Sequence, residues 1–158
     1  MSGRLDERFK VVPGIIAASS TQYSEALAAN EDILESKVEV PSRPPVGLTY
    51  RFKMSGTKTG ANGAMAVILK LGATAVCTLT APGNTADDYI AEFTIRWTST
   101  NAQKIMGTLV TNAVAAVVDY ADGTVNCSAG SELMLQITNA HTSDVVYCNL
   151  VTVESWVK

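Results

Sequence analysis

The chain has 158 residues, of which 47% are hydrophobic and 17% charged, and its formal net charge is -3. One domain of this size buries roughly 70% of its unfolded surface, so it holds a core without metals or disulfides. A negative chain with no Lys/Arg cluster lacks the basic stripe that nucleic-acid affinity needs. No stretch approaches the roughly 18 apolar residues of a membrane span, so neither nucleic acid nor membrane is an expected partner.

Residues 1–22 differ in composition from the remainder of the chain. Arg4, Asp6, Glu7, Arg8 and Lys10 come first, then "VVPGIIAASSTQ". Acids among the bases, and the Pro13-Gly14 break, argue against a secretory signal, so the chain is expected to be made in the cytoplasm and not secreted. The segment is either a loose tail or an arm on a neighbouring chain, where Val11, Val12, Ile15 and Ile16 would cease to be bare apolar surface. Residues 23–158 are expected to form one domain. Within "SEALAANEDILE", a short helix capped by Ser24 competes with one or two edge strands, and strand is preferred from about Ile33 onward.

From Ile33 the pattern is β. "ILESKVEV" stops at Pro41, and "SRPPVG" is a stiff loop in which Pro44 and Pro45 remove two donors. In "LTYRFKMS", Leu48, Tyr50, Phe52 and Met54 share one face, and Thr49, Arg51, Lys53 and Ser55 the other, the period of a half-buried antiparallel strand. "GTKTGANG" and "APGNTADD" are loops around "AMAVILKL" and "TAVCTLT". "YIAEFTIRWTST" turns Tyr89, Ala91, Phe93, Ile95 and Trp97 inward. "QKIMGTLVT", "AVAAVVDY" and "TVNCS" are further candidate strands. "ELMLQIT" presents Leu133, Leu135 and Ile137 inward, and "DVVYCNLVTVESWV" closes the chain. Eight to ten short strands with almost no helical period predict an all-β antiparallel sandwich with jelly-roll-like connections.

Three strands look apolar on both faces. Ala64, Ala66 and Ile68 oppose Met65, Val67, Leu69 and Leu71. Ala113, Ala115 and Val117 oppose Val114, Ala116 and Val118. Val146, Cys148 and Leu150 oppose Val145, Tyr147 and Val151. A sandwich strand has one buried face, so a second apolar face needs a cover. Either a loop or the N-terminal arm of the same chain covers it, or another subunit does; the latter is preferred, which places Ala64, Ala66, Ile68, Ala113, Ala115, Val117, Val146 and Leu150 at subunit contacts of a homo-oligomer.

Few residues carry chemistry. His141 is the single histidine, in the polar turn "TNAHTSD"; Ser143 and Asp144 sit beside it, but loop neighbours do not define triad geometry. Cys77, Cys127 and Cys148 have no CxxC spacing and are expected to be buried free thiols. Asp87-Asp88 and the "DYADG" stretch are expected to be turn acids; the latter lacks the alternating oxygen ligands and closing Glu of a calcium loop. Trp97 is expected in the core, with Trp156 and Tyr120 as candidate sugar-stacking rings. No catalytic, metal or cofactor residue is assigned.

The stretches "YRFKMSGTKTGANGAMAVILKLG" and "DDYIAEFTIRWTSTNAQK" resemble a recurrent β-module of tailed-bacteriophage virion proteins. In that module a strand ending in a G-T-x-T-G turn precedes an apolar strand, and an aromatic-rich strand ends in an R-x-T-like element and "NAQ". The resemblance spans roughly Ile33 to Lys158. It implies a jelly-roll capsid decoration (cement) or head-fibre protein, a homotrimer on the capsid surface with the major capsid protein as partner, no enzymatic activity and no cofactor. The arm, with Arg4, Arg8, Val11, Val12, Ile15 and Ile16, would then touch the shell or an adjacent trimer. The chain shows no repetitive shaft or anchoring domain, which favours a decoration protein over the alternative, a receptor- or carbohydrate-binding module of a tail fibre or baseplate. A small hydrolase is the third possibility.

Overall fold

A computed structural model describes the backbone of residues 14–19 and 23–25, and backbone and side chains of residues 30–81, 86–112 and 115–158. The regular elements there are all strands: β1 (Gly14–Ser19), β2 (Tyr23–Glu25), β3 (Asn30–Val40), β4 (Leu48–Thr59), β5 (Met65–Leu71), β6 (Thr74–Thr80), β7 (Asp87–Ser99), β8 (Ala102–Thr111), β9 (Val117–Gly123), β10 (Ser131–Asn139) and β11 (Val145–Val157). They form two antiparallel sheets. The larger runs β1-β11-β4-β7-β8-β9, with β2 also on β11; the smaller runs β3-β10-β5-β6. The protein is an antiparallel β-sandwich with jelly-roll-like topology.

Alternation in sequence becomes alternation in burial. Leu48, Tyr50, Phe52 and Met54 of β4, and Tyr89, Ala91, Phe93, Ile95 and Trp97 of β7, all point into the core. Leu133, Leu135 and Ile137 of β10 meet them from the small sheet. The Tyr50 and Trp97 rings pack edge to face, centroids 5.9 Å apart, and the Tyr50 hydroxyl donates to the Glu39 carbonyl on the opposite sheet at 3.0 Å. Gly107 of β8 serves the same packing: a Cβ there would press on Cys77 Sγ and Leu79 at about 3.0 Å. Its missing side chain lets the sheets close.

Two bulges reset the alternation. In β11 the ladder slips between Cys148 and Leu150, leaving Asn149 as the extra residue. Val146 and Cys148 are inward before it, Val151 and Val153 after it, while Leu150 turns out at 46% exposure. In β3, opposite the slip between Leu133 and Leu135 of β10, the Ser36 hydroxyl donates to the Ile33 carbonyl at 2.6 Å and accepts from the Leu135 N–H at 2.7 Å. The side chain replaces a ladder bond that the bulge breaks.

Several expectations change. The nine strands from β3 onward match the expected number, but β4, β7 and β11 are long, at 12 or 13 residues. Of the two readings at Ser24 the edge strand holds, as β2, and β3 starts at Asn30, ahead of Ile33, because its first residues pair with β10. Residues 1–22 are not all arm: Gly14–Ser19 is an edge strand on β11, so Ile15 and Ile16 belong to the chain's own sheet. "TVNCS" is a connection rather than a strand. The buried Gln103 amide takes the strand partner's place there, donating to Val125 O at 2.9 Å and accepting from Val125 N at 3.2 Å. β9 begins at Val117, and Ala115 lies before it, exposed.

Gly56 sits beside the β11 bulge, where a Cβ would fall on the Tyr147 carbonyl oxygen and crowd the Tyr89 hydroxyl bonded to it. Gly56→Ala is expected to lower the melting temperature by about 10 °C. A thermal melt unchanged from wild type would refute this close approach.

Candidate functional site

The inward phase of β4 runs past its apolar residues to Gly56 and then Lys58, which is 3% exposed. A buried ammonium needs an anion, and Asp144 supplies it at 2.9 Å. The same carboxylate accepts from the Asn62 side chain at 2.8 Å, the Asn62 N–H at 3.0 Å and the Gly63 N–H at 2.8 Å. Lys58 also donates to Gly60 O at 2.6 Å. Burial pushes the Asp144 carboxyl up, but Lys58, Asn62 and the Gly63 and Asn62 backbone outweigh this and hold it well below the usual carboxylate range. The cluster pins the β4–β5 loop to the β10–β11 loop.

That geometry removes the imagined triad. His141 is exposed, its Nδ1 accepts from the Ser143 backbone N–H at 3.1 Å, and Asp144 faces Lys58 instead. The acids expected in turns lie in strands instead, because both stretches pair in the large sheet: Asp87 and Asp88 open β7, and Asp119 and Asp122 belong to β9, where Asp122 pairs with Lys104 at 2.7 Å and Asp119 accepts a long contact from Cys77 at 3.6 Å. Among the described residues, no group of three or more His, Cys, Asp or Glu is arranged to hold a metal. All three thiols are buried. Burial pushes Cys77 up to about 12, aided by Asp119, and Cys148 up to about 11; neither supplies a thiolate nucleophile at neutral pH. No helix in the described residues is long and apolar enough to cross a membrane.

Trp97 is in the core as expected, and the candidate stacking rings do not form one platform. Trp97 and Tyr89 are core, at 0% and 2% exposure. Trp156 and Tyr120 stand on β11 and β9, four strand spacings apart in the sheet, or about 19 Å.

The outer face of the large sheet divides in two. Across β11, β4 and β7 it is charged and internally paired, with Arg51 on Glu92 at 2.8 Å and near Glu154 at 3.9 Å. Across β8 and β9, beyond the exposed Lys104–Asp122 pair, it is apolar: Met106, Val110, Val118 and Tyr120 are 39%, 45%, 51% and 73% exposed. A hollow of about 490 Å³ lies there, with Arg96, Met106 and Tyr120 in its wall. At the other end of the same face, cross-strand partners Ile90 and Val110 border a groove of about 330 Å³ that also exposes Ser55, Thr57, Asp88, Thr111, Asn112 and Asn149.

The residues expected at subunit contacts are scattered. Val146 is fully buried in the protomer's own core and Ala66 is 8% exposed; the bulge at Asn149 and the side chains flanking β5 account for them. Ala64, Ile68 and Val117 are half-buried, and Ala115 and Leu150 are exposed. Ala113, Arg4, Arg8, Val11 and Val12 lie outside the described residues. The exposed set on β8 and β9 was missed, although "KIMGTLV" and "VVDY" place Met106, Val110, Val118 and Tyr120 in the outward phase. The Lys58–Asp144 clamp was missed too, and a lysine in an inward phase was its signal.

No protein-family model matches the chain, and no curated protein matches it. Among solved structures, it is similar to a lectin from Bauhinia forficata in complex with GalNAc, with 5% identity, 88% of this chain and 99% of that chain covered, and a TM-score of 0.43. It is also similar to lectin I from Ulex europaeus in complex with the methyl glycoside of α-L-fucose, with 8% identity, coverage of 87% and 98%, and a TM-score of 0.38. An alginate lyase in complex with an alginate trisaccharide is similar at 11% identity, coverage of 83% and 80%, and a TM-score of 0.35. The likeness concerns the layered all-β architecture alone.

Two measurements probe the clamp. Lys58→Met leaves a buried carboxylate unpaired and is expected to lower the melting temperature by about 10 °C. Asp144 is held low in the fold, so its contribution is complete above the unfolded value of about 3.9 and is lost as pH falls from there toward the native value. The stability gap between wild type and Asp144→Asn should therefore be widest at neutral pH and narrow in acid; a gap independent of pH would disprove the pairing.

Proposed function

We propose that this chain is a non-enzymatic structural protein of a tailed-bacteriophage virion, bound to the outside of the capsid as a homotrimeric decoration protein that stabilises the shell. The sequence resemblance supports the virion role. The observation that carries the assembly role is the apolar part of the large sheet's outer face, where Met106, Val118 and Tyr120 stand in water, Met106 and Tyr120 beside a hollow. Exposed apolar surface of this kind marks contact sites, and an aromatic beside a pocket is the usual anchor of one.

A standard contact buries about 800 Å² per partner, roughly half of it apolar, for a gross gain near 10 kcal/mol per protomer. Association entropy takes back much of this. The two ends of the large sheet differ, β9 at one side and β1 with β2 at the other, so a contact between β9 of one copy and a different surface of the next is head-to-tail. Such contacts close into rings, which suits a trimer. A decoration protein of this kind bridges subunits of the major capsid protein, and each bridge must break before the shell ruptures, which slows failure.

Native mass measurement is expected to give three chains per particle, and Tyr120→Asp to give folded monomers. Removing residues 1–13, which spares β1, is expected to abolish capsid binding while leaving the oligomer intact. A stable monomer at high concentration, or absence from virions viewed by electron microscopy, would sink the reading.

A further inference from the structure

The geometry points to the groove at the Ile90–Val110 end of the large sheet as a saccharide-binding site, taking one neutral pyranose ring with adjacent hydroxyls. The inference stands on the groove alone and goes beyond the assembly role.

Its polar groups are mixed in kind. Asp88 offers a carboxylate that only accepts, while Asn112 and Asn149 carry amides that both donate and accept. A sugar hydroxyl also donates and accepts, so neighbouring hydroxyls match a carboxylate beside an amide. Among the described residues no Lys, Arg or His lines the groove, so a phosphate or carboxylate ligand would meet Asp88 with no cation to offset it. Its single carboxylate is also too little for a divalent ion, and among the described residues no metal-holding group exists. Neutral polar chemistry remains.

The apolar side of a sugar has a counterpart as well. Ile90 and Val110 are direct cross-strand partners, 46% and 45% exposed, and they give a flat wall for ring C–H groups. A volume of about 330 Å³ lies at the small end of ligand sites, which suits one ring and its water.

The groups are held in place by the fold. Thr57 donates to Asp88 across the β4–β7 ladder at 2.7 Å. Asn149 is the extra residue of the β11 bulge, and bulges re-aim side chains next to binding sites. Thr111 Oγ1, on the groove lining, is buried and has no hydrogen-bond partner.

The test is saturation-transfer NMR on the full chain with the methyl glycosides of glucose, galactose, mannose, N-acetylglucosamine and rhamnose, and with glucose 6-phosphate as the anionic comparison. At least one neutral glycoside is expected to receive saturation, and glucose 6-phosphate none. Asp88→Ala is expected to weaken binding about tenfold or more; Asn112→Ala should weaken it too, while Lys37→Ala, on the small sheet and outside the groove, leaves it unchanged. Thermal melts confirm that each variant is folded. No transfer to any neutral glycoside, a preference for the phosphate, or binding that survives both groove substitutions overturns the proposal. Those outcomes leave the assembly reading standing, since native mass decides that separately.

Discussion

Each strand of a two-layer sandwich turns one face to the opposite sheet and one away, and every other feature of this protein depends on how strictly that division is kept. Tyr50 to Met54 and Tyr89 to Trp97 keep it without interruption, so Phe52, Phe93 and Trp97 form a centre that β10 and β5 close from the other side. Where the ladder slips at Asn149 one extra residue is absorbed, and where it slips around Ser36 residues 34–37 stand against Met134 alone; in both places the next apolar side chain returns to the core. Glycine at 56 and 107 provides room where backbone or sulfur comes too near for a Cβ.

The charged groups buried in the interior, Lys58 and Asp144, come as a complete set. Lys58 and Asp144 are both buried, and the Asn62 and Gly63 donors satisfy the carboxylate that Lys58 alone could not. Ion pairs of this type are weak contributors compared with apolar packing, yet costly to half-remove. Their effect here is positional. They fix two loops at one end of the sandwich, while the buried Gln103 fixes the connection after β9 near the other end.

The outward faces carry what the core has no use for. On β11, β4 and β7 the charges answer one another, with Arg51 between Glu92 and Glu154. On β8 and β9, among the described residues, nothing covers Met106, Val118 and Tyr120, and an assembly surface fits that half. The groove beyond Val110 is of a third kind, polar groups around a small apolar wall. An assembly contact on β8 and β9 and a ligand entering from the strand ends occupy different parts of one face, so both roles fit one protomer.

The sequence by itself determined the class of fold and most of the core, because period-two alternation around Phe52, Phe93 and Leu135 is a local property that any sandwich must obey. It also showed that apolar residues exceed what one core can hold. It did not determine which of them are left over. Val146 and Leu150 look alike in the sequence, but a one-residue bulge sends the first inward and the second out. Gly14–Ser19 looks like a tail until β11 offers an edge to pair with. Asp88, Asn112 and Asn149 come together only because β4, β7, β8 and β11 are neighbours in the sheet. Strand order and register set those meetings, and both arise from contacts between residues far apart in the chain, which local pattern cannot encode.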